Sequence, residues 1–130
     1  MRTIICVVLL SAFLISCTIQ NNLDNGVSLQ AKYRNMSVDE LDNQLKKKDF
    51  VLIDTHIPKQ RHINGTDAFI PYDNIENQLD KLPSDKNAKI VLYCRTGRMS
   101  EIAAEKLAEK GYMNIYNVVG GVSTGAISFA

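Results

Sequence analysis

The stretch Tyr93-Cys94-Arg95-Thr96-Gly97-Arg98-Met99-Ser100 joins a nucleophile to surroundings that would activate it. The apolar run Lys89-Ile90-Val91-Leu92-Tyr93 leads into the cysteine, four polar or small residues follow, and a helical segment opens at Ser100. This order predicts a thiol at the carboxyl end of a buried strand, in a tight loop running onto a helix N-terminus. A helix start leaves backbone N–H groups without partners and carries about half a unit of positive charge. Arg95 and Arg98 add two full charges. Together these favour the thiolate, the nucleophilic form of cysteine. A lone cysteine more often packs as a small hydrophobe. Two arginines and a glycine within four residues of Cys94 suit a reactive anion better than a core position.

The elements that must hold this loop follow from apolar spacing. Tyr33 to Met36 reads as a short strand. Ser37 with Glu40 makes a capping box, and Val38, Leu41 and Leu45 fall on one helical face. Phe50 to Asp54 and Ala68 to Ile70 are short buried strands. Ile75, Leu79 and Leu82 mark a second helix, stopped by Pro83. Lys89 to Tyr93 is the central strand, and Ser100 to Lys110 is the helix after it. Ala103, Ala104, Leu107 and Ala108 face inward along that helix, and Gly111 fits its cap. Ile115 to Val119 is the last strand. Alternating strands and helices predict an α/β fold, a small parallel β-sheet of about five strands flanked by helices on both faces. Ligands of such sheets sit outside the carboxyl ends of the strands. Asp54, Cys94 and Gly120 all fall at such ends.

The Tyr-Cys-Arg-Thr-Gly loop followed by an Ala-rich helix resembles the active-site loop of the rhodanese-like sulfurtransferases. Further segments match that family in order. Val51-Leu52-Ile53-Asp54 is similar to its first core strand, and His62-Ile63-Asn64-Gly65 to its His-Ile-Pro-Gly segment. Phe69-Ile70-Pro71-Tyr72, Gly111 to Tyr116 and Val119-Gly120-Gly121-Val122 continue the series. The resemblance covers roughly Ala31 to Val122. Two departures stand out: Thr55-His56 follows Asp54 where the family has an arginine, and Ser123-Thr124-Gly125-Ala126 stands where it has a tryptophan after the double glycine. A thin last packing layer is expected from the second.

The resemblance implies transfer of a sulfane sulfur through a persulfide on Cys94, from a thiosulfate-like donor to a thiol or cyanide acceptor. Catalysis would rest on Cys94, with backbone N–H groups from Arg95, Thr96, Gly97, Arg98 and Met99 around the sulfur. Arg95 or Arg98 would bind the anionic donor. Asp54, His62 and Ser100 would support the loop. No cofactor is implied, and a monomer is expected. The alternative is a binding module that carries a persulfide or docks a partner without turnover. A cysteine phosphatase is a weaker rival, because its Cys-x5-Arg loop would need arginine where Ser100 stands.

The chain opens with Met1-Arg2 and an apolar run from Ile4 to Ile15, then Leu14-Ile15-Ser16-Cys17. One positive charge, a short apolar stretch and a small residue make a secretory signal. Its end resembles a bacterial lipoprotein signal, which implies acylation of Cys17. The expected organisation is a signal over 1–16, a flexible tether over 17–30 and one domain over 31–130. The expected address is the cell envelope, exported and lipid-anchored. Cys6 then leaves with the signal and Cys17 carries lipid, so Cys94 has no partner for an internal disulfide. The absence of Cys-x-x-Cys excludes a dithiol oxidoreductase of the thioredoxin type, and two histidines without a cysteine pair argue against a metal site. Fifteen basic residues face 14 acidic ones, and loss of Arg2 balances them. A nucleic-acid surface would want a basic face.

Overall fold

Five strands interspersed with helices run from Arg34 onward in the computed structural model, which describes residues 33–123 and 127–130. Residues 1–16, read above as a signal, Cys17, the expected tether and Thr124 to Ala126 lie outside the described residues. Among the described residues no helix is long and apolar enough to cross a membrane. The elements are β1 (Arg34–Met36), α1 (Val38–Leu45), β2 (Val51–Asp54), β3 (Ala68–Phe69), β4 (Ile90–Tyr93), α2 (Arg98–Glu109) and β5 (Ile115–Val118). The five strands form one sheet in the order β1-β5-β4-β2-β3, and every pairing is parallel.

Alternation along the central strands sorts the core into two layers. Ile90 and Leu92 pack with Ile53, Ala103, Ala104 and Leu107 on the face covered by α2. Val91 and Tyr93 pack with Leu52, Met36 and Leu41 on the face covered by α1. A strand buried on both faces must be apolar at every position, and all four residues of β4 are buried. Ser37 caps α1 as its spacing predicts, its side chain accepting the Glu40 N–H at 3.1 Å.

Two expectations are corrected. The second helix, read from Ile75, Leu79 and Leu82, is two successive 3-10 turns, Ile75–Asn77 and Leu79–Lys81. The apolar residues do fall inward, Ile75 fully and Leu82 nearly so. Eight residues with no side-chain cap at either turn cannot repay α-helix nucleation, and i→i+3 bonds close the turns instead. The helix after Cys94 begins at Arg98, two residues earlier than the sequence suggested.

The strand order also picks out the site. From β4 the chain moves through α2 to β5 on one side, whereas from β2 it moves to β3 on the other. Connections that leave neighbouring strands in opposite directions open a crevice at their carboxyl ends. That crevice lies between the ends of β2 and β4, where Asp54 pairs in register with Tyr93.

Candidate active site

Cys94 follows the last residue of β4 and is 1% exposed. Its Sγ accepts the Gly97 N–H at 3.0 Å and lies 3.5 Å from the Ser100 hydroxyl. Gly97 is the N-cap of α2 with φ 93°, a left-handed conformation that a side chain resists. Because the helix starts at Arg98, the loop is only Arg95 to Gly97, and the N–H groups of Arg98 and Met99 belong to the first turn of α2. The thiol therefore sits against the positive end of a 12-residue helix.

The double-glycine turn latches this loop from above. Val122 N–H donates to the Cys94 carbonyl and Ser123 N–H to the Arg95 carbonyl, each at 3.2 Å. Gly121 has φ 62°, and a Cβ there would fall 2.1 Å from the Arg95 oxygen. Only glycine permits so close an approach of two backbones.

Asp54, at the end of β2, is buried and divides its carboxylate between two partners. Oδ1 accepts the His56 N–H at 2.9 Å, and Oδ2 lies 2.7 Å from His62 Nδ1. The carboxylate thereby holds both ends of the loop from Thr55 to His62. Tyr93 anchors the residues beyond. Its hydroxyl accepts the Ile63 N–H at 3.0 Å and meets Thr66 Oγ1 at 2.8 Å. Since Thr66 donates its own proton to the Ile63 carbonyl at 2.7 Å, Tyr93 is the donor to Thr66. Burial pushes the Tyr93 phenol well above its ordinary value, so it stays a neutral hydrogen-bonding group.

A pocket of about 320 Å³ opens over the sulfur, lined by Asp54, Cys94 and Arg95 together with His56, Gln60, Arg61 and Phe129. Arg95 is exposed at its rim. Arg98 is elsewhere: it lines a separate opening with Thr96 and Asn117, and its guanidinium lies 3.4 Å from Glu101. The second arginine at the pocket is Arg61, whose Nε donates to the Ala130 carbonyl at 3.2 Å. Nothing in the chain order marked Arg61 except its place just before His62 in the matched segment. Met99 is half-buried, Ser100 is fully buried, and His62 stacks at a tilt on Phe69 with centroids 5.8 Å apart. Among the described residues no group of three or more His, Cys, Asp or Glu side chains could hold a metal ion.

The segment after the double glycine also closes the pocket. Ile127 is buried in the layer under α1, and Phe129 bridges to Ile63.

A buried cysteine at a strand end, under a helix start and in the crevice of a five-stranded parallel sheet, defines the class of site. Residues 37–126 match the Rhodanese-like domain family, and the chain belongs to it. It is similar to thiosulfate sulfurtransferase PspE of Escherichia coli, 34% identical over 71 residues that make 52% of this chain and 67% of that protein. It is also 34% identical over 85 residues to the adenylyltransferase and sulfurtransferase UBA4 of Candida albicans, covering 58% of this chain. That match spans only 19% of the longer protein's length. A rhodanese-like domain protein of Staphylococcus aureus shares the fold, with a TM-score of 0.63, 24% identity, and coverage of 75% of this chain and 98% of that one. The family and its sulfurtransferase relatives support sulfur transfer as the general chemistry.

Proposed function

We propose that the chain is a sulfurtransferase whose Cys94 carries a sulfane sulfur as a persulfide. The Cys94 thiolate attacks the outer sulfur of a thiosulfate-like donor. The donor S–S bond breaks, and sulfite leaves with the electron pair. A thiolate or cyanide acceptor then attacks the outer persulfide sulfur and returns Cys94 to the thiolate. Splitting the transfer through a covalent intermediate replaces one difficult step by two easier ones. The observation that carries this reading is the Gly97 N–H donating to Sγ at 3.0 Å at the start of α2, beneath a pocket with Arg61 and Arg95 in its lining. The donor anion is bound by these two arginines, and no cofactor enters either step. One chain supplies every residue named, so a monomer suffices.

Mass spectrometry of the chain after incubation with thiosulfate tests the mechanism. A gain of about 32 Da on the Cys94 peptide, removed by dithiothreitol, is expected. Cys94→Ser should lose the adduct and sulfur transfer together while staying folded. Transfer above about a tenth of the wild-type rate in that variant would defeat the mechanism, since a hydroxyl forms no persulfide.

Burial of Cys94 at 1% exposure favours a second reading, a persulfide carrier that releases its sulfur only to a docked partner. Persulfide formation without steady-state turnover on small acceptors would select it. The Leu14-Ile15-Ser16-Cys17 segment supports an envelope address, with Cys17 acylated and residues 17–30 as tether. Incorporation of labelled palmitate, lost in Cys17→Ala, tests that address.

A further inference from the structure

Asn117 is the one polar residue of β5 facing the core, 2% exposed between Ile115 and Val118. A buried amide in a strand otherwise built of apolar and aromatic side chains demands a partner. Its partner is Ser100, with 2.6 Å between Asn117 Oδ1 and Ser100 Oγ. Ser100 is fully buried in the first turn of α2. Its hydroxyl also lies 3.1 Å from the Gly97 carbonyl and 3.5 Å from Cys94 Sγ.

The hydroxyl has one proton and three acceptors around it, so its orientation decides what the sulfur receives. The amide decides the orientation. The two ends of an asparagine amide exchange by a half-turn with no change of shape. With Oδ1 towards Ser100 the amide takes the proton away from the sulfur. With Nδ2 towards Ser100 the amide donates to the hydroxyl oxygen, and the serine proton must go to the Gly97 carbonyl or to Sγ. A charged acceptor wins that contest, because a hydrogen bond to an anion is about twice as strong as one between neutral groups. The other end of the amide reaches the opening lined by Thr96, Gly97 and Gly120, so neither orientation strands a polar atom.

We propose that Asn117 is a positioning residue, which directs the Ser100 proton onto Cys94 Sγ when the sulfur is anionic. The thiolate then has two donors from one helical start, Gly97 N–H and Ser100 O–H. This inference rests on Cys94 as the nucleophile and is independent of which sulfur donor it attacks.

Alkylation of Cys94 by iodoacetamide at neutral pH in the full chain tests it, read on the Cys94 peptide so that the other cysteines do not contribute. Ser100→Ala is expected to slow alkylation about tenfold, the scale of one hydrogen bond to a charged group. Asn117→Leu removes the amide that holds the hydroxyl in place but leaves no competing side-chain acceptor, so it should slow alkylation by less than Ser100→Ala. The double variant should be no slower than Ser100→Ala, because the two residues act as one unit. Asn117→Asp keeps the shape but only accepts, so it should also slow alkylation. It carries the test if Asn117→Leu does not fold. Wild-type alkylation in folded Asn117→Asp, or losses that multiply in the double variant, would overturn the proposal. Alkylation needs no sulfur transfer, so a failure of the sulfurtransferase reading appears separately, as absence of the persulfide mass.

Discussion

The loop after Cys94 is gripped by backbone along its length, whereas the loop from Thr55 to His62 across the same pocket has backbone bonds at its two ends. Thr55 N–H donates to the Tyr93 carbonyl and Ala130 N–H to the His62 carbonyl, and one carboxylate joins those ends. On the first wall Val122 and Ser123 N–H groups grip the Cys94 and Arg95 carbonyls, and Gly97 and Gly121 adopt conformations that suit glycine alone. On the second wall the Asp54 carboxylate reaches both His56 N–H and His62 Nδ1. Backbone bonding sets position almost without regard to side-chain type, so the Cys94 sulfur has a fixed seat. Between its ends the second wall exposes Gln60, which meets His56, and Arg61, whose Nε donates to the Ala130 carbonyl. On the proposed sulfurtransferase reading, the first wall would serve bond-making and the second donor recognition.

The strongest challenge to this contrast is Gly121→Ala. Its Cβ would meet the Arg95 oxygen at 2.1 Å, and its φ of 62° is unfavourable to any side chain. A loss of about 3 kcal/mol or more is expected by chemical denaturation, with sulfur transfer lost as the loop is displaced. A denaturation midpoint equal to wild type would show that the latch yields cheaply and that the first wall is not rigid.

Asp54→Asn addresses the second wall and should cost less. The amide can still accept the His56 N–H, but it replaces a carboxylate facing His62 by a neutral group. We expect about 1–2 kcal/mol of stability to be lost, the scale of a hydrogen bond to a charged group. The donor KM should rise more than the alkylation rate of Cys94 falls. The reverse pattern would place Asp54 with the nucleophile rather than with the recognition loop.

The smallest effects separate the arginines. Arg61→Ala is expected to raise the thiosulfate KM about fivefold, as for one exposed ionic contact. Arg98→Ala should raise it less, because that guanidinium lies beside Glu101 and outside the pocket. Steady-state kinetics on the two variants decide the matter. An Arg98 effect equal to or larger than the Arg61 effect would return donor binding to the cysteine loop.

Features coded by contiguous residues were legible before any coordinates. The strand, cysteine, glycine and helix of the Cys94 segment are local, and each follows from apolar run length, a φ requirement or a cap. The two-faced burial of β4 was likewise visible as an unbroken apolar run. The segment from Ile75 to Leu82 was legible only in its apolar spacing. Burial of Ile75 follows from that spacing, but the choice between α and 3-10 turns depended on length and capping.

The sequence by itself determined the place of Cys94 at a strand end, the parallel sheet and the crevice at its strand ends, because short-range patterns carry their own physical cause. Tertiary structure decided which charges share that crevice. Arg98 is four residues from Cys94 yet faces another opening, since α2 begins early enough to carry it round the helix axis. Arg61 is distant in sequence yet lines the pocket, because Asp54 folds its loop back across the end of β4. Asn117 meets Ser100 only because β5 lies beside β4 beneath α2. Pairings of this kind depend on strand order and helix rotation, which no local pattern encodes.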